Sequence, residues 1–173
     1  MKSKHHRYAA AALAAALAAV GVAGAAGAAS GTTEETDKNI VHVANDAGQF
    51  QTLTRLAKRA GLVGALRGTA KLTVFAPTDK AFAKVPKATL RTLEQNRPKL
   101  RAVLLYHVAK GNVKAAQVVK LRRAKTLNGA SSRIGIRNNR VYLNRTVRVV
   151  KTDIEASNGT IHVIDGVLIP PAN

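Results

Sequence analysis

The chain has 173 residues, with 28 Lys and Arg against 9 Asp and Glu, and a formal net charge of +19. Cys and Trp are absent, which excludes a disulfide framework, a thiolate metal site and a cysteine nucleophile. The apolar share of 46% is that of a chain that packs a core, not of a disordered basic tail.

The N-terminus reads as an address. Lys2, Lys4 and Arg7 make a basic start, residues 8–29 carry no charge, and Ala26-Gly27-Ala28 gives an A-x-A pattern. This order predicts a secretory signal peptide over 1–29. A retained N-terminal membrane anchor is the alternative, since the uncharged run is long enough to span a bilayer. Its Ala and Gly drive insertion weakly, which favours cleavage. Loss of the leader would leave 25 basic and 9 acidic residues. Residues 30–37 are polar and locally acidic and read as a solvated spacer. No linker or repeat follows, so 38–170 is expected to be one domain.

Its first half has helical spacing. Phe50, Leu53, Leu56, Ala57 and Ala60 recur at three and four, on one helix face, and Gly61 is the stop signal. Lys71 to Phe75 predicts a short strand ended by Ala76-Pro77, with Thr78 as N-cap of a helix carrying Ala81, Phe82 and Val85. Further helical stretches follow Pro86, with Leu90 and Leu93, and Pro98, with Leu100, Val103 and Leu104.

The second half switches to period two. Ile134 and Ile136 alternate with Arg133 and Arg137, Val141 and Leu143 with Arg140 and Tyr142, and Val147 and Val149 with Arg148. Ile161, Val163, Val167 and Ile169 lie in two further runs. Asn138-Asn139 and Asn158-Gly159 are turn signals, because Asn and Gly tolerate positive φ. Helices first and a β meander after them predict an α+β fold.

Three segments carry a resemblance: Thr73-Val74-Phe75-Ala76-Pro77-Thr78-Asp79-Lys80-Ala81-Phe82; Leu104-Leu105-Tyr106-His107-Val108 with Gly111; and Ala156 to Pro170, containing Asn158-Gly159-Thr160-Ile161-His162-Val163-Ile164-Asp165-Gly166. In this order and spacing they resemble the fasciclin domain family over 38–170. The resemblance implies a β wedge or sandwich of about seven strands with helices packed on one side. It also implies a secreted or cell-surface binding module used in adhesion, and not an enzyme.

Two groups of candidate site residues emerge. Tyr106 and His107 correspond to a segment that the family associates, in some animal members, with adhesion. They form either an exposed ligand patch or a buried, hydrogen-bonded pair, and their apolar flanks favour burial. The second group is cationic. Residues 80–151 hold 19 Lys and Arg and one acid, Glu94. Arg133, Arg137, Arg140, Arg145 and Arg148 are expected on the outward side of the meander, with Lys84, Lys87 and Arg91 on a helix face. Lys120, Arg122, Arg123 and Lys125 form a further run.

Enzyme signatures are missing. His42, His107 and His162 stand apart with no i,i+4 partner, so no metal and no cofactor are expected. Neither a serine-nucleophile elbow nor a phosphate-binding glycine loop occurs. The expected partner is an anionic cell-wall or matrix polymer or a surface protein, with an anionic membrane surface as a further candidate. Aromatic residues are too scattered for base stacking, so any nucleic-acid binding would be independent of sequence. A small-ligand carrier is the least favoured reading.

Overall fold

The computed structural model describes residues 38–171; the expected leader and spacer lie outside the described residues. Seven helices and seven strands follow in chain order. The helices are α1 (Ile40–Asp46), α2 (Gln51–Arg59), α3 (Val63–Arg67), α4 (Asp79–Ala83), α5 (Lys87–Gln95), α6 (Arg97–Tyr106) and α7 (Ala115–Val118). The strands are β1 (Leu72–Pro77), β2 (Val108–Lys110), β3 (Arg123–Lys125), β4 (Ser131–Arg137), β5 (Arg140–Leu143), β6 (Val147–Ala156) and β7 (Gly159–Ile164). The strands form a sheet of order β2-β1-β7-β6-β5-β4-β3. β1 and β7 are parallel, and every other neighbouring pair is antiparallel. The two ends of the sheet approach each other through an Ala109–Thr126 bridge, so it curls toward a barrel. The expected α+β order and strand number are present.

β1 and β7 are buried along their whole length, as a parallel pair covered on both faces must be. Their side chains divide by parity. Leu72, Val74, Ala76, Ile161 and Val163 pack with Ile40, Ala44 and Phe50 under the first helices. Phe75 and Ile164 turn the other way and meet Tyr106, Ala109, Leu143, Val147 and Leu168 inside the curled sheet. A third cluster joins Leu56, Phe82, Leu93, Leu100 and Leu104 among α2, α4, α5 and α6. Each such large side chain contributes about 1.5–3 kcal/mol by leaving water.

Local chemistry fixes the turns. Asn138 and Asn139 have φ of 48° and 58°, the two positive values that a tight hairpin turn requires. Gly159 does not occupy the centre of its turn, as the sequence predicts, but opens β7. A side chain there would overlap the Leu72 carbonyl oxygen, so glycine lets β7 approach β1 closely enough to pair. β1 does not end at Ala76: it runs through Pro77, opposite Ile164. Thr78 caps α4 by accepting the Ala81 N–H at 3.2 Å. Asp79 also serves α2, whose N-cap residue Phe50 offers no side-chain acceptor; its carboxylate accepts the Thr52 N–H at 2.7 Å. Ile136 shares the inward parity of Ile134, yet is 51% exposed, because the β4–β5 hairpin extends past the core.

Candidate functional site

Burial separates the two readings of Tyr106 and His107. They end α6, and each is 1% exposed, so neither forms a surface patch. The His107 ring bonds at both nitrogens: Nδ1–H donates to the Val103 carbonyl at 2.8 Å, and Nε2 accepts the Leu168 N–H at 2.9 Å. This pattern requires the neutral ring. Burial lowers its pKa to about 4, against a smaller opposing effect of the Val103 carbonyl. The Tyr106 hydroxyl donates to the Ser131 carbonyl at 3.3 Å and accepts from Asn144 Nδ2 at 3.0 Å, tying α6 to the base of the meander. The voids beside His107 are apolar and small, about 40 and 10 Å³, and no second titratable group lines either one.

His162 is equally occupied. Its Nδ1 accepts the Asp153 N–H at 3.3 Å, Nε2–H donates to the Val113 carbonyl at 2.8 Å, and the ring stacks on Phe75 at 5.6 Å. Among the described residues no three His, Cys, Asp or Glu side chains come together as a metal would need.

The arginines divide differently. Strand register places Arg123 opposite Arg133, Gly135 opposite Tyr142, and Arg137 opposite Arg140. Residues directly opposite point to the same side of a sheet, so Arg123, Arg133, Arg137, Arg140 and Tyr142 share one face. The inward set Ala124, Ser132, Ile134 and Leu143 lies on the other. All four arginines are exposed, and no acid among the described residues pairs with them. The Arg137 guanidinium sits 5.8 Å from the centre of the Tyr142 ring. Arg148, opposite Tyr142 on β6, belongs to the same face but is partly neutralised. Its Nε lies 3.5 Å from Asp165 Oδ2, and its backbone N–H donates to Oδ1 of that residue at 2.9 Å. The face is therefore a cationic ladder with one aromatic ring in its middle.

The fasciclin domain model matches residues 48–170. The chain belongs to the fasciclin domain family. The uncharacterized protein sll1735 of a Synechocystis strain is 41% identical over 131 residues, covering 76% of this chain and 97% of that one. Transforming growth factor-beta-induced protein ig-h3 of Sus scrofa is 34% identical over 134 residues; the match covers 78% of this chain and 20% of the relative. Among solved structures, a FAS1 domain pair from the insect cell adhesion molecule Fasciclin I superposes with a TM-score of 0.65 at 20% identity. The match covers 76% of this chain and about half (51%) of that one, and it shows the shared fold. No helix among the described residues is long and apolar enough to cross a membrane.

The three fasciclin segments work as a frame. His107, in the second, holds Leu168, in the third. Asn158 accepts the Ile40 N–H at 2.9 Å and donates to the Leu66 and Gly68 carbonyls, each at 2.8 Å. It thus fastens α1 and the end of α3 to the β6–β7 turn. Asn144 does similar work for the meander: its Oδ1 accepts the Arg133 N–H at 3.0 Å. The sequence reading does not single out Asn144, whose φ of 49° places it in the positive-φ turn after β5. Arg123 and Tyr142 are likewise not singled out as face residues. Counting outward from the Asn138-Asn139 turn pairs Arg137 with Arg140 and Gly135 with Tyr142.

Proposed function

We propose that this fasciclin domain is a secreted binding module that attaches to anionic polymers of a cell envelope or matrix through the β3–β5 face. One observation carries the reading: Arg123–Arg133 and Arg137–Arg140 are like-charge pairs directly across strands. Such pairs oppose folding, with effects of about 0.2–1 kcal/mol each. A face that solubilised the domain without binding would do so as well with mixed signs. Four exposed guanidiniums on a rigid sheet instead present forked donors suited to carboxylate, sulfate or phosphate groups along a polymer. The basic, uncharged, A-x-A order of residues 1–29 supports export, and the likeness to an insect cell adhesion molecule supports an adhesive role.

The test is retention of the leaderless chain on immobilised alginate across a sodium chloride series. Retention should fall steeply, since the screening length shrinks from about 10 Å at 0.1 M to about 3 Å at 1 M. Replacing Arg133, Arg137 and Arg140 by Thr should abolish it, and replacing Lys87 and Arg91 on α5 should not. Retention indifferent to salt, or to the triple replacement, overturns the reading. Equal retention of the triple variant on double-stranded DNA and on alginate would show that other cations do the binding.

A further inference from the structure

The near-closure of the sheet leaves an opening. β2 and β3 stand at opposite ends of the strand order. They meet through the Ala109–Thr126 bridge and the Leu127 N–H bonded to the Val108 carbonyl at 2.7 Å. Beside this contact the seam widens into a cleft of about 360 Å³, within the range of small-molecule sites of roughly 300–1,000 Å³. Phe75, Ala109, Val118, Ala124 and Ile134 line its walls. The hydroxyls within it are already bonded: Thr73 Oγ1 donates to the Gly111 carbonyl, and Thr126 Oγ1 to the Ala130 carbonyl, each at 2.7 Å. The interior therefore offers apolar contact and no spare donor.

The lip is different. Lys110, Arg123 and Lys125 border the cleft and are exposed, and no carboxylate lines it. Leu121 also borders it and is 41% exposed, as is Val119. These two apolar tips alternate with exposed Lys120 and Arg122 along the segment leaving α7. Apolar side chains exposed among cations suit a site whose ligand arrives with both an apolar and an anionic part.

We infer that this cleft binds a single-chain acyl anion. The hydrocarbon tail occupies the space between Phe75, Val118 and Ala124, and the anionic head lies against Lys110 and Lys125 at the lip. A neutral sugar is disfavoured because both threonine hydroxyls of the cleft are already bonded and no carboxylate lines it, and a cationic amphiphile because the lip repels it. The site adjoins the polymer face, with which it shares Arg123 alone among the arginines of the ladder.

The experiment is calorimetric titration of the leaderless chain with dodecanoate and with dodecyltrimethylammonium, both below their micellar concentrations. Saturable one-to-one binding of dodecanoate is expected, with the cationic amphiphile at least tenfold weaker. Ala124→Leu, which fills the cleft, should weaken dodecanoate at least tenfold, and Lys110→Glu about fivefold. The Arg137→Thr/Arg140→Thr variant should bind as the unmodified chain does. Val118→Phe is a second filling variant should Ala124→Leu unfold. Absence of saturable binding, equal binding of the cation, or indifference to a folded filling variant overturns the inference. Phosphatidylglycerol vesicles carrying a labelled lyso-lipid identify the source. Transfer of label to the chain, blocked by the filling variant, supports uptake from a membrane. Dodecanoate binding without such transfer supports a free acid.

Discussion

His107 Nε2 accepts the backbone N–H of Leu168 at 2.9 Å, a bond across 61 residues that only the unprotonated ring can make. Burial, the dominant influence on this group, lowers its pKa from 6.5 to about 4. In the unfolded chain the ring takes up a proton near pH 6.5, whereas the folded chain resists until about 4. The stabilising contribution is therefore complete above pH 6.5. It is lost progressively as pH falls from 6.5 to 4, by on the order of 3 kcal/mol. Urea unfolding at stepped pH should show this loss. His107→Leu should be less stable at pH 7 yet lose less between 6.5 and 4. His162, also lowered chiefly by burial, adds a loss in the same direction as pH falls below 6.5.

Gly159→Ala should be among the most damaging single-methyl changes in the domain. The added carbon overlaps the Leu72 carbonyl oxygen, and φ is 156°. A loss of at least about 3 kcal/mol is expected, through strain and lost β1–β7 pairing. Gly135→Ala meets open space and should stay within about 0.5 kcal/mol of the unmodified chain. Paired urea titrations check both.

Asn158→Asp tests whether the side-chain amide matters as a donor. The carboxylate keeps an acceptor for the Ile40 N–H, but sets negative charge against the Leu66 and Gly68 carbonyls that the amide now serves. A loss of about 2–4 kcal/mol is expected, read as a lower thermal midpoint. Tyr106→Phe should cost only about 1 kcal/mol. It should leave alginate retention unchanged, because the hydroxyl acts on Asn144 inside the domain.

Arg123→Glu should separate folding from binding. It turns the Arg123–Arg133 pair into one of opposite sign, and stability at low salt should rise by about 0.2–1 kcal/mol. Retention on alginate should fall in the same variant. A gain in stability with unchanged retention would remove Arg123 from the face.

Much of the frame is legible in the residue order. The strands read between Ile134 and Val149, the Asn138-Asn139 turn and the Thr78 cap each follow from local chemistry and are present in the structure, although Ile136 is exposed. What the order conceals is long-range. Lys110 ends a three-residue strand too short to show a period, and its place at the lip of a cleft depends on how the sheet curls. Arg148 alternates as the other arginines do, but Asp165, 17 residues away, takes up part of its charge. Asp79 stands where a helix N-terminus predicts an acid, yet it also caps a helix 27 residues earlier. Period and turn chemistry report on neighbours in the chain; these roles are set by neighbours in space.

β7 is the last strand in sequence, and it lies in the middle of the sheet, between β1 and β6. β1 therefore waits for a parallel partner that begins with Gly159 opposite Leu72, and the Leu168 bond to His107 comes later still. Until those residues are available, the β2–β1 pair and the β3–β6 meander have no strand to join them. A chain built this way completes its sheet only when its last strand is in place. It should therefore fold slowly, since pairing across so many residues carries a large loop-closure cost.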